Sequence, residues 1–574
     1  MNGKGRVLSQ VLKRMQKGLN IAKQWAESKG LTISADKTTW IVYTKKRNKG
    51  RNLKLKLGDQ EVERVKKVKY LGFVFDEDLK WDEHIQEKIS SARKALYTFK
   101  KAFPSNWGPH QRAQAWLWTC AVRPIILYGS VIWGHRARHW REKLRSLQRL
   151  ALCQQGLVRK NTPGRALEVI TGTIPLHIKI EETRLLSATR LLSCINRKCA
   201  SGERIIADLS GQGLPTSSRL YDKIPSIAIR EQPCEILVGD GKPLADREDG
   251  LAVAYTDGSG LNGQFGAACT LEDEFGEKYK SQARLPDHAT VYMAEMKAIR
   301  LAIELFQEKR SEEWKLIIMV DSQAALKALK AKTLRSRITK ETIESIQRAK
   351  EDGTEIILSW VRAHAGHGGN EEADKLAREA SLGVIKQAGI PKSHVKSVIR
   401  FNMIKKWQKE WDDVQYSQQK HRQSRFVWPK IDLARSRALT FTSKMVYSQV
   451  LRWCSGFTGL RHTNWRQGQD SDNICRLCEQ DQEDVVHVLA RCPKLGWLRR
   501  QTFGEFFYDE EHTFVWTSKD MLGFLRSPVI RAMENCDDEG LIIIFYEEFE
   551  KYKNIIEMIE EVEAEEPQEI MDSD

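Results

Sequence analysis

Apolar positions change their spacing several times along this 574-residue chain, and each change marks an element. Val7, Leu8, Val11, Leu12, Met15, Leu19, Ala22 and Trp25 recur at helical intervals, an amphipathic stripe that Gly30 ends. Leu31 to Thr44 reads as strand, turn and strand, and 45–69 continues in short alternating strands. Further on, Leu251, Val253 and Tyr255 alternate as in a half-buried strand with Asp257 at its end. Val291 to Leu305 returns to helical spacing. Leu316 to Val320 is an unbroken apolar run closed by Asp321, the signature of a central strand buried on both faces. After a glycine-rich stretch, Asn370 to Ala377 opens another helix containing Asp374. Between 201 and 249 the periodicity fades while Gly, Pro and Ser accumulate, which reads as a linker, and a second break follows Gly383. The segments so defined are 1–100, 101–200, 201–249, 250–383, 395–505 and 535–574. The fourth is α/β, expected as a mixed five-stranded sheet with flanking helices, and the flanking regions are mainly α-helical.

Length and charge narrow the function. A chain this long exceeds one hydrophobic core. The net charge of +17 hides a larger surplus: 535–574 holds fifteen acids against two lysines, a local −13, which leaves +30 elsewhere. Such a surplus favours a polyanionic partner, nucleic acid first. Lys45 to Lys69 contributes eleven basic residues against three acids, suiting a phosphate-tracking hairpin as well as an ordinary basic one. Eleven cysteines, an odd number behind a start with no signal-like character, point to reduced thiols and an intracellular location. No apolar run reaches the length of a membrane span, so no membrane partner is expected.

Four carboxylates stand out in the α/β segment: Asp257, Glu295, Asp321 and Asp374. Brought to one edge of a sheet they would repel one another strongly unless cations lay between them, which implies divalent metal. Hard oxygen ligands favour Mg2+, with Mn2+ possible, and two such ions suit in-line displacement at a phosphodiester. His364 lies ten residues before Asp374 and suits proton transfer or product release. Taken singly, each acid is matched by a bland alternative: Asp374 as a first-turn acid, Asn370 as an N-cap, Asp321 as the cap of a helix starting at Ser322. The order Asp-Glu-Asp-Asp, the Thr256-Asp257-Gly258-Ser259 opening and His364-x-Gly366-x-x-Gly369-Asn370-Glu371-x-x-Asp374 resemble type 1 ribonuclease H. The resemblance implies that the four carboxylates bind the metals, that His364 assists catalysis, that Ser259 and Asn370 contact substrate, and that the substrate is an RNA/DNA hybrid.

Outside that segment, Lys69-Tyr70-Leu71-Gly72-Phe73 with Asp78 to Ile85, then Pro124 to Gly134 and Ala166 to Gly172, resemble the palm end, thumb and connection of non-LTR retrotransposon reverse transcriptases. The aromatic-x-Asp-Asp pair of that family's polymerases has no counterpart in a hairpin context here, so no polymerase activity is expected. The Tyr128 and Trp133 stripe reads as helix core. Trp407 and Trp411 share a helical face among lysines, where packing is favoured over base stacking on single-stranded RNA or DNA. Finally, Cys475, Cys478, His487 and Cys492 are spaced C-x2-C-x8-H-x4-C, which suits one structural Zn2+ in a tetrahedral knuckle; the alternative is a set of buried reduced cysteines. The ending Cys492-Pro493 is similar to the C-terminal knuckle of retrotransposon polyproteins.

Overall fold

The apolar run Leu316 to Val320 sits inside a six-stranded sheet with a paired strand on either side, which is why it carries no polar face. The computed structural model describes residues 3–44, 53–102, 109–192, 200–217, 220–221, 231–237, 251–309, 314–334, 336–363, 367–385, 389–413, 422–508 and 517–565. The chain divides into two units, Leu185–Asn402, and Met1–Arg184 with Met403–Asp574.

In the unit Leu185–Asn402 the order is α1 (Ala200–Ser210), β1 (Glu235–Leu237), β2 (Leu251–Leu261), β3 (Gln264–Glu272), β4 (Lys278–Leu285), α2 (Val291–Lys309), β5 (Lys315–Val320), α3 (Gln323–Lys330), α4 (Arg337–Glu351), β6 (Glu355–Trp360) and α5 (Gly368–Ala380). Across the sheet the strands run β1-β6-β5-β2-β3-β4. The first four are parallel and the last three form an antiparallel meander. Met296, Ile299, Ile303 and Phe306 of α2 and Ile343 and Ile346 of α4 pack with Ala252, Ala254 and Ile318 in the main core. Leu251, Ile317, Met319, Ile357 and Val361 form a smaller cluster.

The expected mixed sheet with flanking helices is therefore present, and β1 adds a sixth strand at its edge. That strand comes from 201–249, the stretch read as a linker. Glu235 to Leu237 pair with Ile357 to Ser359, covering backbone groups that β6 would otherwise leave open at an edge. α1 lies in the same stretch, while 218–219, 222–230 and 238–249 are outside the described residues.

The other unit is mostly helical. Helix Leu8–Ser28 lays its stripe on Leu55, Leu57 and Val62. Only Thr39–Trp40 of the expected pair of strands forms, parallel to Glu63–Arg64; Leu31 to Ser34 has no strand partner and stays irregular. Trp133 is fully buried with Trp81, Ile85, Trp118, Leu144 and Leu147. Tyr128, read as core, is instead half-exposed, its hydroxyl donating to Leu71 O at 3.0 Å. Trp407 and Trp411 of helix Lys392–Asp412 are buried, and Trp411 Nε1 donates to Trp428 O at 3.1 Å, so both pack. The acidic C-terminal segment forms helix Asp538–Glu565. Among the described residues no single helix is long and apolar enough to cross a membrane.

Candidate active site

Asp257 and Asp321 meet where the parallel ladder ends. Val320, the last residue of β5, lies opposite Thr256, so Asp257 and Asp321 are the next residues on neighbouring strands, at the carboxyl edge where open α/β sheets place their ligands. β2 does not stop at Asp257, as the alternation suggests. It continues to Leu261 in the hairpin with β3, which places Asp257 opposite Ala268. Thr256 Oγ1 donates to Met319 O at 3.1 Å, and Trp360 Nε1 to Asp321 O at 3.1 Å, pinning both strand ends. Ser322, and not Asp321, caps α3: its side chain accepts from Ala325 N. The capping alternative for Asp321 is thereby removed.

Glu295 reaches the same point from α2 because residue 258 has no side chain. A Cβ on Gly258 would stand 2.4 Å from Glu295 N and 2.8 Å from the carbonyl carbon of Ala294, so only glycine lets the helix lie this close to β2. Gly266 does the same for α5, since a Cβ there would meet Ala377 O at 2.0 Å. Ligand oxygens of Asp257, Glu295 and Asp321 lie within 4.8 Å of one another. Burial, followed by the charges of Asp321 and Asp374, pushes Asp257 up to about 7. Burial and the charges of Asp321 and Asp257 push Glu295 up to about 9. The Gly258 backbone hydrogen-bonds both carboxylates and opposes these shifts. Glu295 Oε2 is buried with no hydrogen-bond partner, an oxygen whose bonding a cation would complete.

Asp374 stands outside that group of three. It sits in the second turn of α5, which removes the bland alternative of a first-turn acid, with Oδ2 2.7 Å from Arg378 Nη2. Its charge still acts on Asp257, and so does that of Arg378 with opposite sign. Arg378 is the site residue the sequence reading missed; its only signal is the i, i+4 spacing from Asp374. Asn370 is no cap: it lies inside α5, buried, with Oδ1 unpartnered, and His367 holds the N-cap position. Ser259 is half-buried in β2, two residues beyond Asp257. His364 is outside the described residues. A cleft of about 1080 Å3 opens beside the first turn of α2, lined by Thr290, Arg284, Lys297, Arg300, Arg337 and Lys392 among others, and none of the four carboxylates lines it.

In the other unit the second constellation also assembles. Cys475, Cys478, His487 and Cys492 offer ligand atoms within 4.8 Å of one another. Cys475 Sγ and Cys492 Sγ are 4.0 Å apart, Cys478 Sγ and His487 Nε2 3.3 Å, and no disulfide joins them. A tetrahedron with metal–sulfur bonds of about 2.3 Å has sulfur–sulfur edges of about 3.8 Å. Asp481 Oδ2 lies 3.6 Å from His487 Nδ1, where a carboxylate would fix the ring. Arg476, between the first two cysteines, is held by both oxygens of the fully buried Glu483 and donates to Met533 O and Cys536 O.

Residues 250–382 match the ribonuclease H family, and this part of the chain is a ribonuclease H domain. Over 130 residues, 23% of its length, the chain is 26% identical to a retrovirus-related Pol polyprotein from type-1 retrotransposable element R1 4 of Nasonia vitripennis, 33% of which is covered. It is also similar to a ribonuclease H of Tropheryma whipplei, with 34% identity over 107 residues, 17% of this chain and 64% of that one. The chain thus spans a third to just under two thirds of the curated relatives it matches. Together these bear out the reading of a non-LTR retrotransposon type of polyprotein sequence with a ribonuclease H domain. That fold implies use of divalent metal.

Proposed function

We propose that the chain hydrolyses the RNA strand of RNA/DNA hybrids endonucleolytically at Asp257, Glu295, Asp321 and Asp374, with two Mg2+ ions (Mn2+ able to replace them) held by these carboxylates. One observation carries the reading: three mutually repelling acids converge around the orphaned Glu295 Oε2, an arrangement that costs stability unless cations complete it. The donor set is all oxygen, which fits hard divalent ions. Bound there, such ions would activate water and stabilise the leaving oxygen. Asp257 from within β2 and Asp321 from just past β5 position the group, Glu295 closes it from α2, and Asp374 joins by giving up Arg378. Ser259 and Asn370 contact the hybrid beside the carboxylates, and His364 assists by proton transfer or product release. The cleft by α2, lined by basic residues together with Glu341, gives the polyanion a path past the site. The Cys475, Cys478, His487 and Cys492 group holds one structural Zn2+, its sulfur spacing already close to that of a closed tetrahedron.

The test is incubation of the purified chain with a hybrid labelled on its RNA strand, in Mg2+ and in chelator. Internal cuts in the RNA that need Mg2+ are expected, with duplex DNA left intact. A chain that binds the hybrid and never cuts it in either ion would instead be a non-enzymatic nucleic-acid-binding remnant.

A further inference from the structure

Acidic residues are missing from two long stretches of this chain. Residues 88–141 contain ten lysines and arginines and no acid, and 433–469 contain six and no acid. The chain as a whole has 76 acids in 574 residues, so stretches of this length would ordinarily carry several each. Within the unit made of Met1–Arg184 and Met403–Asp574 the two stretches meet, through residues about 330 positions apart. His110 Nε2 and the buried Gln111 side-chain amide lie 3.2 and 2.5 Å from Thr442 O, and the same amide reaches Thr440 O at 3.3 Å.

Apolar rings stand out at this junction. The Arg112 guanidinium lies 4.4 Å from the centroid of the Phe441 ring, a cation–π contact. Trp116 is one turn further along the same helix, Gln111–Leu117. Trp116 is 62% exposed, Phe441 60% and Met445 85%. Arg437 and Lys444 flank Phe441 in sequence, Arg437 on the exposed side of its helix. Large apolar side chains this open are costly in water unless something covers them, and neither stretch that carries them holds an acid.

We propose that the surface carrying Arg112, Trp116, Arg437, Phe441, Lys444 and Met445 binds single-stranded nucleic acid. Unpaired bases stack on Trp116 and Phe441, while Arg112, Arg437 and Lys444 attract the backbone phosphates. A duplex is the poorer fit, because its bases already stack on one another and present few faces to a ring. Stretches without acids also lack the mixed charges of an ordinary protein–protein rim. This site lies in the unit without the carboxylates, so it stands or falls independently of the hydrolysis proposed above.

The full chain is titrated without added Mg2+ into labelled single strands of about 20 nucleotides, oligo-dT and oligo-U, into a duplex of the same length, and onto vesicles of mixed neutral and anionic lipid. Trp116→Ala with Phe441→Ala is expected to weaken single-strand binding about 10- to 100-fold, from the per-base contribution of aromatic stacking. Trp116→Tyr should retain it within about threefold. Arg112→Gln should reduce the slope of log affinity against log salt by about one. Both rings are exposed, so the melting temperature and the rate of hybrid cleavage should not change. Unchanged single-strand affinity in the double variant overturns the proposal. So does a double variant that loses vesicle binding while keeping its hold on single strands, which would make the surface a membrane-facing one.

Discussion

Replacing Asp321 with Asn removes one charge from the carboxylate cluster while keeping the side chain's size; the Trp360 hydrogen bond goes to the Asp321 main chain and Ser322 carries the cap. At 4.8 Å and an effective dielectric near 20, two ionised carboxylates repel by roughly 3 kcal/mol. Part of this is already relieved because Asp257 and Glu295 hold protons more tightly than free acids do. A net gain of about 1–2 kcal/mol on neutralising Asp321 is therefore expected without metal, worth about 2–6 °C of melting temperature for a unit of this size. With Mg2+ the order inverts. The parent should be stabilised by the ion and Asp321→Asn much less, while hybrid cleavage falls by about a hundred- to a thousandfold, or roughly 3–4 kcal/mol of transition-state stabilisation. Thermal melting in chelator and in Mg2+, with cleavage rates on the same preparations, measures all of this. A variant that melts lower than the parent in chelator, or cuts hybrid within a few-fold of the parent rate, refutes the reasoning.

Proton uptake at the cluster sets a pH dependence. The folded-state values of about 7 for Asp257 and about 9 for Glu295 lie above those of the unfolded acids, so folding binds protons here, and stability in chelator should decline as pH rises from 5 to 9. Asp257→Asn with Glu295→Gln should flatten that decline, and a parent whose melting temperature climbs across the window contradicts it. Gly258→Ala forces a Cβ against Glu295 N; about 1–3 kcal/mol of stability and at least a hundredfold in cleavage should be lost, read by melting and rate, whereas a fully active variant would mean that α2 needs no such approach. Cys478→Ser should reduce bound zinc from one equivalent per chain to none and lower the melting temperature of its unit by several degrees, and metal analysis finding no zinc in a well-folded parent would reject the assignment.

What the chain determines by itself is local. Asp257, Glu295, Asp321 and Asp374 are legible because each falls at a definite place in a periodic pattern, and periodicity reports backbone geometry and one-sided burial over about ten residues. The Cys475 to Cys492 spacing is legible for the same reason, since all four ligands lie within eighteen residues. Packing decides the rest. β2 runs on past Asp257 because β3 offers it partners, a fact about a neighbouring strand and not about the alternation around Tyr255. Glu295 reaches the cluster only through the bare backbone of Gly258, and Asp374, outside the group of three, pairs with Arg378. Glu235 to Leu237 becomes a strand because β6 has an open edge, though its three residues carry no strand signal among glycines and prolines. Nor does any local pattern announce that Gln111 will meet Thr442. Contacts across hundreds of residues depend on which surfaces remain to be buried once the local elements have formed, and that is settled only when the whole chain packs.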